Sequence, residues 1–294
     1  MVNDHEKVRK INIGQSGADV FELEGSRILK RVVRDRIDNG MFDTYVKEAL
    51  FYQSECPKSY LPEVENIEIS PDGIVLVMKK YKNPDRKDFS EELLGKITNV
   101  LASIHATSAP AFLTEDDIKT EVMTKEDIAE CVKGWLGILD EHPGMFDSAV
   151  IDNISQNIND IIGWHDSEKR VLSHGDFHWD NILTDDNGRI LVCDWQNVGL
   201  RGASDDLSFF MSRLGADGIS VDSHSLLTRY ALEYNRLTGE TLAADELERH
   251  IKASNVITSF RFWHIYLHGS DTERVRDIFG KMVSDYKDCW GYMI

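Results

Sequence analysis

The chain has 294 residues, 41% of them apolar, enough for a sizeable core and, near the length at which single cores stop growing, for two lobes. Its 51 acidic and 33 basic side chains leave a formal charge of −18, which argues against a nucleic-acid partner because phosphate backbones are bound by clustered Lys and Arg. No apolar run of about 18 residues occurs, and the opening MVNDHEKVRK is charged where a secretory signal is apolar, so no membrane association and a cytoplasmic location are expected. Cys56, Cys131, Cys193 and Cys289 are scattered without a CxxC pair, as reduced thiols are.

In chain order, INIGQSGADVFEL (11–23) is a small-residue loop before a strand. The backbone N–H groups of Gly14, Ser16 and Gly17 are candidates for approaching phosphates, although GxGxxG is absent. VFELEG (20–25) and RILKRVV (27–33) are short β-rich runs around the hairpin signal Gly25-Ser26. Lys30 sits mid-strand, where an inward lysine needs a partner or a bound anion. TYVKEALFYQSE (44–55) has helical spacing at Tyr45, Val46, Ala49, Leu50 and Tyr52. It offers Glu48 as the acid for Lys30, with Glu55 and Arg31 as the alternatives if the inward face is misread. IVLVM (74–78) follows the turn SPDG, so residues 1–78 read as a small α+β nucleotide-binding lobe. KKYKNPDRKD (79–88) is charged and aperiodic and suits a hinge or linker. From 89 to 294 helices prevail: Leu93, Leu94, Ile97, Leu101 and Ile104 form one stripe, and Val150, Ile151, Ile154, Ile158, Ile161 and Ile162 another. Further helices are expected at about 223–238 and 271–287.

HGDFHWDNIL (174–183) interrupts this helical half. It is entered from a strand-like VLS (171–173) and followed by ILTDDNGRILVCD (182–194), whose Asn187-Gly188 is a strong two-residue hairpin signal. With that turn, Asp186 pairs with Arg189 and Asn181 lies opposite Asp194, on one face. An amide oxygen and a carboxylate so placed suit a hard cation such as Mg²⁺, which keeps waters and phosphate oxygens as its other ligands. Asp176, five residues before Asn181, is placed to take a proton from an attacking hydroxyl. HGD or CD alone reads as a polar loop end bonded to backbone; their joint spacing does not. Zinc at His174 and His178 is disfavoured, because no helix and no third soft ligand accompany them.

These motifs, HGD, four residues, N, and then D after a short apolar strand, resemble the kinase-like phosphotransferases typified by aminoglycoside phosphotransferases and choline kinases. The resemblance implies a two-lobed protein-kinase-like α+β fold with a β-rich first lobe and a larger helical second lobe. It implies ATP (or GTP) and Mg²⁺, with Asp176 as base and Asn181 and Asp194 as metal ligands. It also implies Lys30 and Glu48 at the phosphates, Met78 behind the adenine, Lys79 to Tyr81 as the hinge, and His174 and Asp206 as braces of the catalytic loop. HRD, DFG and APE segments are absent, and Trp195 and Gln196 stand where protein kinases carry Phe and Gly, so a protein substrate is not expected. The acceptor implied is a small cationic molecule of aminoglycoside type, drawn in by the acidic field, with Asp180, Asp205, Asp206, Asp271 and Glu273 as candidate acids. A metabolic kinase for choline, ethanolamine or homoserine is the alternative enzyme, and a nucleotide-binding pseudoenzyme the alternative of another class.

Overall fold

The computed structural model describes residues 9–11, 17–55, 59–113 and 122–290. An antiparallel sheet comes first, formed by β1 (Arg9–Ile11), β2 (Asp19–Leu23), β3 (Arg27–Val33), β4 (Val64–Ser70) and β5 (Gly73–Lys79) in the order β1-β2-β3-β5-β4. Gly25 and Ser26 both adopt positive φ, 76° and 57°, as the β2–β3 turn demands. The sequence reading passed over β4; its VENIEIS alternates, but as an edge strand it buries too little to give a strong apolar signal.

Register sets the two faces of this sheet. Lys30 lies opposite Val20 and Leu76, and Ile28 opposite Met78, so these share one face. Leu23, Leu29 and Val77 pack as a small separate cluster. Helix α1 (Asn39–Gln53) starts before the expected residue 44, because the Asp38 carboxylate caps it by accepting from the Met41 N–H at 2.9 Å. Gly40 in the first turn hides this start from a periodicity argument.

The helical half contains α2 (Glu91–His105), α3 (Lys125–Asp140) and α4 (Ala149–His165). Short strands β6 (Arg170–Ser173), β7 (Ile182–Thr184), β8 (Ile190–Val192) and β9 (Gly199–Gly202) follow. Then come α5 (Ala203–Ala216), α6 (Ser223–Thr238), α7 (Ala244–Thr258), a π-helical turn over Ser259–Trp263, α8 (His264–Tyr266) and α9 (Thr272–Trp290). The stripe of α2 buries Leu94, Ile97, Leu101 and Ile104 in a core continuous with α1 and the sheet. That of α4 buries Ile151, Ile154, Ile158, Ile161 and Ile162 against α3, α7 and α9. The result is the expected α+β architecture, a small antiparallel-sheet lobe and a larger helical lobe. Among the described residues no helix is long and apolar enough to cross a membrane.

One expectation is overturned. In the β7–β8 hairpin Ile182 pairs with Val192 and Thr184 with Ile190, a register one residue away from that required by a two-residue Asn187-Gly188 turn. The Asp185 N–H donates to the Arg189 carbonyl at 3.1 Å, leaving a three-residue loop with Gly188 at φ 73°, the turn-plus-left-handed-residue form. Asp185 selects it: its Oδ1 accepts from the N–H groups of both Asn187 and Arg189 at 2.9 Å. Asn181 therefore lies against Cys193, whose N–H donates to the Asn181 carbonyl at 3.0 Å, and not opposite Asp194.

Because Asp38 caps the helix that carries Glu48, Asp38→Ala should lower stability by about 1 kcal/mol. Urea unfolding should show a reduced midpoint with an unchanged slope; an unchanged midpoint removes the cap assignment.

Candidate functional site

The loop between β6 and β7 is built around one carboxylate. Asp206, fully buried in the first turn of α5, accepts from the His174 N–H at 2.8 Å on one oxygen and the Gly175 N–H at 2.9 Å on the other. His105 Nε2 lies 3.1 Å from it, and His105 Nδ1 lies 2.7 Å from the Tyr230 hydroxyl. Burial alone would raise the Asp206 pKa; these hydrogen bonds and the neighbouring imidazoles outweigh it and hold the carboxyl at about 2. Gly175 has φ 76°, and a Cβ there would stand 2.3 Å from the Asn197 carbonyl oxygen, so glycine is obligatory. His174 Nε2 lies 2.9 Å from the Cys193 carbonyl, and its Nδ1 accepts from the Asp176 N–H at 3.2 Å. Burial depresses the His174 pKa, in keeping with a neutral Nε2–H tautomer set by those bonds.

Asp176 is half-buried beyond this brace. The Asn181 amide Nδ2 donates to the Asp176 carbonyl at 2.9 Å and lies 3.4 Å from its carboxylate, with His178 Nε2 at 3.6 Å from the other oxygen. With Nδ2 so committed, the Asn181 side chain has its Oδ1 left to offer. The one-residue register slip would turn Asp194 to the wrong face, but Asp194 takes a left-handed φ of 66°, which re-aims it. Its Oδ1 lies 2.7 Å from Lys30 Nζ, which is 2.8 Å from Glu48 Oε2. The chain thus joins Lys30, Glu48 and Asp194; Glu55 is exposed, and Arg31 points to the opposite face. Burial would lower the Lys30 pKa, but the two carboxylates raise it above its ordinary value. Burial raises Glu48 despite Lys30, whereas in the more open Asp194 the attraction of Lys30 overcomes burial and the pKa falls. Trp195, fully buried, packs on Phe51 of α1 at 4.3 Å and on His174 at 4.6 Å between ring centroids.

A cleft of about 550 Å³ opens beneath the sheet, lined by Ile28, Lys30, Glu48, Met78, Lys79, Tyr81, Asn181 and Asp194. Asp180 is also on its lining, ion-paired to Arg86 at 2.8 Å. Arg9 and Lys10 face the same cleft, which the sequence reading missed. The N–H groups of Lys79 and Lys80 are already bonded to the Glu63 and Ser26 carbonyls, so the hinge offers its remaining backbone groups. Gly17, at φ 74°, packs on Ile37 and does not line the cleft; Gly14 and Ser16 lie outside the described residues. Segment 79–88 does more than link. The Asn83 amide donates to the Asp180 and Ile182 carbonyls at 2.7 and 2.9 Å, and the Trp179 indole N–H donates to the Pro84 carbonyl at 3.1 Å.

On the other side of the Gly175 backbone is a second cavity of about 650 Å³, walled by Arg201, Asp205, Phe209, Arg261, Phe262, Trp263 and Lys281. The π-helical turn supplies its aromatic wall, the kind of local irregularity that accompanies binding sites. Of the candidate acids, Asp205 lines it, while Asp206 touches it but is spent on the brace. Asp271 caps α9 by accepting from the Arg274 N–H at 2.8 Å, and neither it nor Glu273 lines either cavity.

The model of the phosphotransferase enzyme family (APH) matches residues 68–244. No curated protein sequence matches the chain. Among solved structures, ADP-bound aminoglycoside phosphotransferase APH(2'')-Ib is similar at TM-score 0.56 and 17% identity, over 95% of this chain and 92% of that one. An ethanolamine kinase of Plasmodium vivax is similar at TM-score 0.58 and 11% identity, over 97% and 83%. A choline kinase of Cryptosporidium parvum gives 0.58 and 13%, over 99% and 92%. At these identities the likeness is one of fold, the kinase-like fold that the motifs imply.

The depressed Asp206 pKa fixes a sign. A carboxyl held near 2 against an ordinary 3.8 adds stability that is fully present above the ordinary value and is lost as pH falls through the lower one. The difference in unfolding free energy between wild type and Asp206→Asn should be flat above about pH 4 and shrink by on the order of 2 kcal/mol towards pH 2. Parallel pH profiles for the two proteins count against the brace.

Proposed function

The chain belongs to the phosphotransferase enzyme family, and we propose that it carries the γ-phosphate of ATP or GTP to a hydroxyl of a small amine-bearing molecule. The observation that carries this reading is the position of Asp176: its backbone is clamped by Asn181 at 2.9 Å on the side of the nucleotide-sized cleft, and the acceptor-sized cavity begins at its neighbour Gly175. In this reading Met78 and Ile28 take the base, the free backbone groups of Lys79 to Tyr81 orient it, and Lys30, kept charged by Glu48, holds phosphate oxygens.

Asn181 Oδ1 and the Asp194 carboxylate are hard oxygen donors on one cleft and fit Mg²⁺. Bound there, Mg²⁺ supplies neutralisation of the phosphate charge. Asp176 accepts the hydroxyl proton, and Arg201, whose guanidinium packs on Gly175, adds positive charge beside the transfer path. Positioning and electrostatics carry such a reaction, because phosphoryl transfer asks little covalent work of the protein.

A cavity of about 650 Å³ lies in the range of drug-sized ligands, which favours a ring-bearing, aminoglycoside-type acceptor over one as small as ethanolamine. Aromatic walls at Phe209, Phe262 and Trp263 suit a ring-bearing ligand and, beside Asp205, one ammonium group, while Arg201, Arg261 and Lys281 on the same lining disfavour a second. Nucleotide consumption against a panel of acceptors, read by the mass increase of the product, is the test; a best acceptor lacking an amine overturns the acceptor class. Asp176→Asn should lower turnover by about 10²-fold or more while leaving nucleotide affinity within a few fold. Turnover near wild type removes the base assignment.

A further inference from the structure

Behind Asp205, away from the nucleotide cleft, one ligand atom from each of His165, Glu168 and His250 lies within 4.8 Å of the other two. Helix α4 ends at His165, and Glu168 follows in the same turn, its N–H bonded to the His165 carbonyl at 3.1 Å. Helix α7 brings His250 against them. Both imidazoles are nine-tenths or more buried, at 6% and 5% exposure, and the Nδ1 atom of each is buried with no hydrogen-bond partner. Leaving a buried polar atom without a partner is costly, and two in one cluster ask for a shared ligand.

We infer that His165, Glu168 and His250 form a zinc site distinct from the phosphotransfer centre. Two imidazole nitrogens and a carboxylate oxygen, with a fourth position open, are a zinc donor set. Ligand atoms about 2 Å from zinc stand roughly 3.3 Å apart, so small side-chain rotations close the triad. The surroundings have the form that metal-bound histidines require: His165 Nε2 lies 3.1 Å from the Asp205 carboxylate, which Ser254 of α7 also reaches at 3.3 Å. Trp164 stacks on His250 at 4.4 Å, fixing the second ring.

The site ties three elements together. Glu168 also accepts from the Ser204 N–H at 3.1 Å and from its hydroxyl, so a bound ion ties the end of α4 and the middle of α7 to the start of α5, the turn that carries Asp206. Its role is structural: it stiffens the support of the catalytic loop without touching the nucleotide. This inference stands on the cluster alone and does not depend on the acceptor or on the reaction.

The test is a zinc titration of the chelator-treated full chain against a chromogenic competitor, with saturating Mg²⁺ present throughout. Wild type should take up one zinc per chain and gain thermal stability, and Co²⁺ in its place should show the visible ligand-field bands of a nitrogen- and oxygen-ligated tetrahedral site. His250→Gln and Glu168→Gln should each weaken zinc binding by about 100-fold or more, beyond what loss of an outer-shell partner does. Absence of stoichiometric zinc uptake by wild type, or undiminished uptake by both variants, overturns the site.

Discussion

A lysine ammonium at 9% exposure must find negative charge, and here it finds it from both halves of the chain. Lys30 is held by Glu48 of α1 at 2.8 Å and by Asp194, just past β8, at 2.7 Å. Neither pair is valuable as a surface bridge; removing a partner from a buried one leaves an uncompensated charge. The sheet, α1 and the loop after β8 are therefore set relative to one another by a single ammonium. Trp195 packs the same junction from the apolar side, between Phe51 and His174. An ammonium with two carboxylates is also, in the proposed reading, a place where phosphate exchanges for one of them.

The second fixed point is Asp206. Its two oxygens meet consecutive backbone N–H groups, so the turn that presents Asp176 is held through its main chain, without using the Asp176 carboxylate. The same α5 turn carries Asp205 to the wall of the second cavity and towards His165. The loop bearing Asp176, the wall of the second cavity and the histidine cluster thus all touch one helix start.

Much of this was legible in the sequence because it depends on periodicity and local spacing. Lys30 in mid-strand, Glu48 on the next helix and the stripes of α2 and α4 follow from burial patterns of period 2 or 3.6. Asn181 and Asp194 were read together from a register that is wrong by one residue: the Asp185 carboxylate selects a longer turn, and with Asp194 in the left-handed region both residues still line one cleft. Two local departures cancel, and neither has a periodic signature. The Asn83 clamp, Arg201 and the aromatic π-turn were missed for a different reason, since each acts on a partner far away in sequence. Asp271 shows the converse, a conspicuous acid in a plausible segment that only caps a helix.

The central claim is that Lys30 and Asp194 part on nucleotide binding, Lys30 turning to phosphate and Asp194 to Mg²⁺. Calorimetric nucleotide titration of wild type, Lys30→Met and Asp194→Asn, each with and without Mg²⁺, tests it most directly. The account predicts that Lys30→Met weakens binding under both conditions, whereas Asp194→Asn abolishes the gain from Mg²⁺ and leaves metal-free binding as strong or stronger, because the lysine has lost its competitor. A full Mg²⁺ gain retained in Asp194→Asn, or wild-type affinity in Lys30→Met, would contradict it.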